Sequence, residues 1–246
     1  MKNGIIRLGV VSCKAEPSHK AEQINQLLFG ETYSIEEEEE DWIKIKTAFD
    51  NYVAWIDRKN HTFLSEEHFN TFTYGNASLV LNLIDSVQDK TDNTAINVPI
   101  GSSIYKKDQD FKHDGNYSSK NIHDLHSYAF KFLNTPYLWG GRTPLGIDCS
   151  GFVQMTYKLC GIKLPRDSYQ QAEIGQTIDN LNEVKLGDLC FFGSEQRIDH
   201  VGLFLDTKNV IHASGKVKVD AIDSKGIWLE KEQKYSHFLK KIQRIF

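Results

Sequence analysis

The chain has little cysteine and little proline for its length, four of the first and five of the second in 246 residues. No C-x-x-C pair occurs, and four thiols are too few to staple a chain of this size. A disulfide scaffold is therefore excluded, and free thiols are expected. A basic stripe is also missing: 29 Lys and Arg against 33 Asp and Glu leave a net charge of −4, with the lysines scattered. Without massed cations to neutralise phosphates, nucleic acid is not an expected partner. No window approaches the roughly 18 consecutive apolar residues of a membrane span, and the run Ile5–Val11 is interrupted by Arg7. No signal peptide or lipid-attachment cue is seen, so a cytoplasmic chain, or a mature form whose leader has been removed, is expected. What is present is 40% hydrophobic and 25% charged, the balance of a globular protein able to build one large or two to three small domains.

Residues 1–72 alternate short apolar runs with polar turns: Ile5–Val11, Thr32–Ile35, Trp42–Lys46 and Tyr52–Ile56. This spacing predicts a small all-β barrel, with Trp42 and Trp55 in its core. The acidic run Glu36–Asp41 reads as a solvated hairpin loop. Ser18–Phe29 carries leucine-like helical spacing with Gly30 as a stop, which predicts a short helix or an irregular turn interrupting the barrel. Residues 73–120 hold further short β-like pieces, Leu79–Ile84, Ala95–Ile100 and Ser103–Tyr105, and end in a polar linker over Phe111–Asn121. Residues 121–246 read differently. A helix is expected over Asn121–Leu133, and a second follows Asp148 with Gly161 as its stop. Strands then follow at Asp188–Phe192, His200–Leu205 and Asn209–Ala213, an α+β order of helices before an antiparallel sheet.

Cys149 falls at the start of the second helix, behind the turn-forming segment Gly140–Gly146. The positive end of a helix lowers a thiol pKa, so a thiolate is expected there. A thiolate attacking an amide also needs a proton donor for the leaving amine, and imidazole is the usual one. Of nine histidines, His200 and His212 lie on neighbouring predicted strands among apolar residues. Adjacent antiparallel strands can bring two imidazoles together, but the register is not fixed by the sequence. Cys160 and Cys190 read as packed thiols.

Five motifs in order then carry a resemblance: Tyr137-Leu-Trp-Gly-Gly-Arg-Thr-Pro-Leu-Gly-Ile-Asp-Cys-Ser-Gly-Phe152, Leu164-Pro-Arg-Asp-Ser168, Lys185-Leu-Gly-Asp-Leu189, Asp199-His-Val-Gly202 and Val210-Ile-His212. They resemble the NlpC family of cell-wall cysteine peptidases, which are papain-like. The resemblance implies Cys149 as nucleophile, His200 as general base and then acid, and His212 as the orienting third group. It also implies an oxyanion site at the Cys149 backbone N–H and no metal or organic cofactor. The front of the chain, with Ala15-Glu-Pro-Ser-His19 and Gln26-Leu-Leu-Phe-Gly-Glu31, is similar to the bacterial SH3-like modules of one subgroup, the γ-D-glutamyl-L-diamino acid endopeptidases (dipeptidyl-peptidase VI type).

The implied architecture is an SH3-like barrel (1–72), a second, short SH3-like module and linker (73–120), and an α+β papain-like peptidase domain (121–246). The implied substrate is a murein peptide with a free N-terminal L-Ala, cleaved to release L-Ala-γ-D-Glu from meso-diaminopimelate or L-Lys, as in murein peptide recycling. Asp167 and Ser168 map to the acceptors of the substrate amine, and Tyr137, Trp139 and Ser150 to the cleft lining. From the barrel, Glu16 and Tyr52 are candidates to reach the substrate, each with packing or solvation as the alternative. Asp148 either braces its turn or helps position substrate. A hydrolase of intact peptidoglycan and an inactive murein-binding protein are the competing readings.

Overall fold

The structure, a computed structural model, describes residues 2–194 and 196–246. It divides into two compact units: residues up to Lys120 together with Trp139–Pro144, and Asn121–Leu138 together with Leu145–Phe246. Among the described residues no helix is long and apolar enough to cross a membrane.

In the first unit seven strands, β1 (Asn3–Ile5), β2 (Val10–Lys14), β3 (Gln23–Leu28), β4 (Thr32–Glu38), β5 (Trp42–Thr47), β6 (Val53–Asp57) and β7 (Thr62–Leu64), form one antiparallel sheet in the order β3-β2-β6-β5-β4-β1-β7. Period-two alternation aims Ile43, Ile45, Ala54 and Ile56 at a core shared with Ile6, Val11, Leu27 and Tyr33. Trp42 and Trp55 are buried, but on the opposite face, where Lys44 lies across from Trp55. The expectation that they build the barrel core is corrected accordingly. Helix α1 (Glu66–Thr73) starts at Ser65, whose hydroxyl accepts the His68 N–H at 3.2 Å.

Short strands β8 (Ser78–Leu79), β9 (Ile84–Asp89), β10 (Ala95–Pro99), β11 (Ser103–Ile104) and β12 (Phe111–Lys112) complete this stretch. They surround a small core of Phe29, Val80, Val87 and Val98.

Three expectations change here. Ile5–Val11 is not one strand: the chain bends at Leu8 and Gly9, and a Cβ on Gly9 would stand 2.1 Å from the Asn97 carbonyl oxygen. Ser18–Phe29 is an irregular turn followed by β3, not a helix. Leu27 enters the barrel core, Leu28 is buried on the other side of the strand and Phe29, in the turn beyond it, enters the second core, so three successive apolar residues are all buried and imitate a helical run. The segment 111–121 is packed at its start, where β12 pairs with β9 and the Arg7 guanidinium lies 4.5 Å from the Phe111 ring centroid. The acidic run is solvated, but Glu36–Glu38 extends β4, and Glu38 pairs with Lys2 and Arg58.

Segment 139–144, including the two-residue strand β13 (Arg142–Thr143), is fixed within the first unit by Arg142. Its guanidinium is 1% exposed and meets Glu31 at 2.8 and 3.0 Å and the Gln26 carbonyl at 2.7 Å.

The second unit has helices α2 (Leu125–Lys131), α3 (Cys149–Leu159) and α4 (Ser168–Gln171), with the two-residue strand β14 (Gly146–Ile147) just before α3. The expected helix over 121–133 is shorter, because Ile122–Asp124 forms a 3-10 turn capped by Asn121. Seven strands follow, β15 (Gln176–Thr177), β16 (Leu189–Gly193), β17 (Ile198–Phe204), β18 (Asn209–Ser214), β19 (Lys216–Ile222), β20 (Gly226–Leu229) and β21 (Lys234–Arg244). Their order is β15-β21-β16-β17-β18-β19-β20, and β20 also pairs with β21, so the sheet curls back on itself. Every residue of α3 is buried, and Phe152 meets Phe132 edge-on at 6.1 Å. The helix stops at Gly161, where φ is +82°.

Candidate active site

Asp148 is the N-cap of α3. Its carboxylate accepts the Gly151 N–H at 2.7 Å and is gripped by the buried Arg166 through two bonds of 3.0 and 2.5 Å. Arg166 also donates to the Ser150 hydroxyl at 2.8 Å. Of the two roles left open for Asp148, bracing the turn is therefore the one its contacts display. An uncompensated charge at this depth would be costly, so cap and guanidinium hold each other in place.

This brace presents Cys149 at the first position of the helix, 5% exposed. Its thiol is not acidified, contrary to the expectation from the helix end. Burial pushes its pKa up to about 12, the Asp148 charge adds to the rise, and the Val201 and Ser150 backbone N–H groups offset only part of it. Desolvation of a sulfur anion outweighs half a unit of dipole charge. The resting group is a neutral thiol that receives the N–H of Val201, the residue after His200.

His200 and His212 are brought together by register. Gly202 lies opposite His212, so His200, two residues earlier on β17, falls diagonal to His212 on the same face. His200 Nε2 and His212 Nδ1 are 2.8 Å apart. Gly202 keeps the space open: a Cβ there would stand 3.0 Å from that of His212 and 3.2 Å from the Cys190 sulfur. Across the next pairing His212 lies opposite Lys218, and Asp220 takes the diagonal place, its Oδ2 3.0 Å from His212 Nε2. Burial drives the pKa of His200 well below the usual imidazole value, and that of His212 below it despite Asp220. Both rings are therefore neutral near pH 7.

A cleft of about 540 Å³ opens against His200 and is lined by Tyr137, Asp199, Ser214, His237 and Phe238, among others. His237 stacks on His200 with ring centroids 4.2 Å apart. Tyr137 is partly buried, and its hydroxyl is held un-ionised by burial and by the nearby Cys149 and Asp148.

Asp167 and Ser168 open α4, where Asp167 exchanges capping bonds with Gln170 and Ser168 is buried. Gln171 ties α4 to the Ser150 carbonyl at 3.1 Å. The second unit thus gathers Tyr137, Cys149, Ser150, Asp167, Ser168, His200 and His212. The other three candidates belong to the first unit. Trp139 is exposed, with its carbonyl bonded by Gln23 Nε2 at 3.0 Å. Glu16 is exposed on the turn between β2 and β3, and Tyr52 packs against the barrel core.

Arg166, Asp220 and His237 were not singled out from the sequence. Lys218 and Asp220 do show the period-two spacing that would place them beside His212, once the register is known.

Residues 134–235 match the family profile described as NlpC/P60 family, and residues 15–60 match that of the bacterial dipeptidyl-peptidase Sh3 domain. The chain is 29% identical over 262 residues to a dipeptidyl-peptidase 6 of Lysinibacillus sphaericus, covering 90% of this chain and 92% of that one. It is 28% identical over 225 residues to a gamma-D-glutamyl-L-lysine dipeptidyl-peptidase of Bacillus cereus, covering 76% of this chain and 66% of the relative. Among solved structures, the crystal structure of an NlpC/P60 family protein from Bacillus cereus superposes with a TM-score of 0.79, over 98% of this chain and 99% of that one, at 19% identity. That last likeness is one of fold.

Proposed function

The chain belongs to the NlpC/P60 family of cysteine peptidases, and on that premise we propose that it hydrolyses the γ-D-Glu–diamino acid bond of murein peptides that begin with a free L-Ala. Cys149 is the nucleophile, His200 the base and then the acid, and His212 the group that orients His200. The observation that carries this reading is the 2.8 Å bond between His200 Nε2 and His212 Nδ1. It commits one nitrogen of His200 and leaves Nδ1 as the nitrogen able to serve a thiol.

The reaction starts from a neutral pair. Because the buried thiol resists ionisation, its proton passes to His200 as sulfur attacks the γ-carbonyl carbon, so thiolate is formed only when substrate fills the cleft. The carbonyl oxygen gains the negative charge and is met by the backbone N–H of Cys149 at the start of α3. Collapse breaks the C–N bond, and imidazolium protonates the leaving diamino acid. Water, deprotonated by His200, then releases L-Ala-γ-D-Glu from sulfur.

The free amine of the substrate needs acceptors where water is excluded. The Asp167 carboxylate and the Ser168 hydroxyl, fixed by the capping of α4, fill that role, with Ser150 and Tyr137 along the cleft. Trp139, Glu16 and Tyr52 of the first unit are the remaining candidates for substrate contact. The division into SH3-like barrel (1–72), short second module (73–120) and peptidase domain (121–246) goes with this reading.

Mass spectrometry of L-Ala-γ-D-Glu-meso-diaminopimelate, beside the same tripeptide N-acetylated, tests it. Release of L-Ala-γ-D-Glu from the free tripeptide alone is expected, and none with Cys149→Ala. Equal cleavage of the acetylated peptide would overturn the amine requirement and point to an open cleft acting on intact cell wall. Cleavage of neither would leave a murein-binding protein.

A further inference from the structure

We propose that Asp220 is a positioning residue of this site, the end of a hydrogen-bond relay that fixes the tautomers of both histidines and so leaves a lone pair on His200 Nδ1. The inference rests on the reading of His200 as base and adds to it a residue outside the five sequence motifs.

The relay runs across three adjacent strands. Each link is diagonal in the register: His200 on β17 to His212 on β18, and His212 to Asp220 on β19. The heavy-atom distances are 2.8 Å and 3.0 Å. Asp220 Oδ2 also takes the ammonium of Lys218 at 2.8 Å. Two donors on one oxygen hold the carboxylate ionised, and burial of His212 and His200 keeps both rings neutral.

The proton positions follow by elimination. An ionised carboxylate only accepts, so His212 Nε2 must carry the hydrogen. A neutral imidazole has one N–H, so His212 Nδ1 is an acceptor. Its partner at 2.8 Å, His200 Nε2, must therefore be the donor. That uses the single hydrogen of His200 and leaves its Nδ1 unprotonated, as a base requires. Without Asp220 the opposite set is equally allowed, with His212 Nδ1–H donating to His200 Nε2 and the His200 hydrogen on Nδ1, where it blocks proton uptake. When His200 becomes imidazolium during the reaction, the chain His200–His212–Asp220 ends on a negative charge that stabilises it.

The test is a long-range ¹H–¹⁵N correlation on full-length protein labelled with ¹⁵N-histidine at pH 7.5, with His200 and His212 assigned from single substitutions. Both rings are expected as the Nε2–H form, and an Nδ1–H form at either overturns the relay. Asp220→Ala should give mixed tautomers at His212 and lower kcat on the tripeptide at least tenfold, with KM changed less than twofold. Asp220→Asn, whose amide oxygen can still accept from His212 and Lys218, should restore the Nε2–H form and most of the rate. Wild-type tautomers and kcat in Asp220→Ala would sink the idea. The resonance readout needs no turnover: full activity in Cys149→Ala would overturn the site reading, while the tautomers of the wild type would still decide the relay.

Discussion

His237 lies face to face with His200, centroids 4.2 Å apart and planes inclined by 26°. Both rings line the cleft, and the pKa of His237 is lowered to about 4, chiefly by burial and then by His212. A neutral flat ring is what this position requires, since a cation there would oppose the imidazolium formed in turnover. His237→Phe should therefore keep kcat within about threefold. His237→Ala, which removes a stack worth roughly 1 kcal/mol, should lower it about fivefold. Steady-state kinetics on the tripeptide distinguish the two, and equal rates for both variants would show that the stack does not position His200.

The candidate site was legible because its thiol sits at a helix start and its two imidazoles inside apolar strands. Cys149 follows an Asp at a helix start, and His200 and His212 stand among apolar residues on strands. What the sequence hid was register and depth. Asp220 becomes part of the site only once His212 is known to lie opposite Lys218, and a one-residue slip would turn it to the other face. The thiol was misread for a related reason: a helix start is visible in a sequence, whereas complete burial is not. In the first unit, β3 resembled a helix because Leu27 and Leu28, on its two faces, and Phe29 just beyond it are all buried. Trp42 and Trp55 read as core because their size, and not their face, was the visible property.

The buried neutral rings set how stability changes with pH. His200 and His212 hold no second ring proton when folded but take one up below their ordinary value of 6.5 when unfolded. The unfolded chain then binds more protons, so stability falls as pH drops below about 6.5, by up to about 1.4 kcal/mol per pH unit for each ring. Cys149 acts at the other end. Its folded pKa, near 12, lies above the ordinary 9.0, so stability falls again as pH rises past 9. Urea melts from pH 5 to 10 should show a plateau between about 6.5 and 9. Replacing both histidines should make the acid limb shallower, the remainder coming from His237 and His61, whose pKa values burial also lowers, and Cys149→Ala should reduce the slope of the alkaline one. A stability that keeps climbing from pH 6.5 to 9 would contradict these protonation states.

Arg166 and Asp148 form a buried, two-bond ion pair beside Cys149, the proposed nucleophile. Removing one partner strands the other charge, a loss of about 3–5 kcal/mol in comparable pairs. Arg166→Ala should lower the free energy of unfolding by that amount in a urea melt. It should also reduce kcat, because Asp148 caps the helix that presents Cys149. Arg166→Lys keeps the charge but supplies one point donor in place of a planar fork. It is expected to recover part of the stability and little of the rate. Full recovery of both by lysine would mean that charge alone matters at this position.

Gly202 offers the sharpest separation of activity from stability. It lies opposite His212, and a methyl group there would stand 3.0 Å from the His212 Cβ and 3.2 Å from the Cys190 sulfur, both closer than ordinary packing. Both neighbours are fully buried. The Gly202 backbone is strand-like, so alanine costs nothing in dihedral strain, and the effect must come from crowding these two side chains and the Ile211 carbonyl oxygen, also 3.2 Å away. A shift of a few tenths of an ångström in His212 disturbs the geometry of its bonds to His200 and Asp220. Gly202→Ala should therefore lower kcat more than tenfold while costing only about 1–3 kcal/mol of stability, the range for overpacking a core. Adding Cys190→Ala to that variant clears one of the three close contacts and should recover stability more than rate, because the His212 contact remains. Recovery of full activity in the double variant would place the critical contact at Cys190 instead.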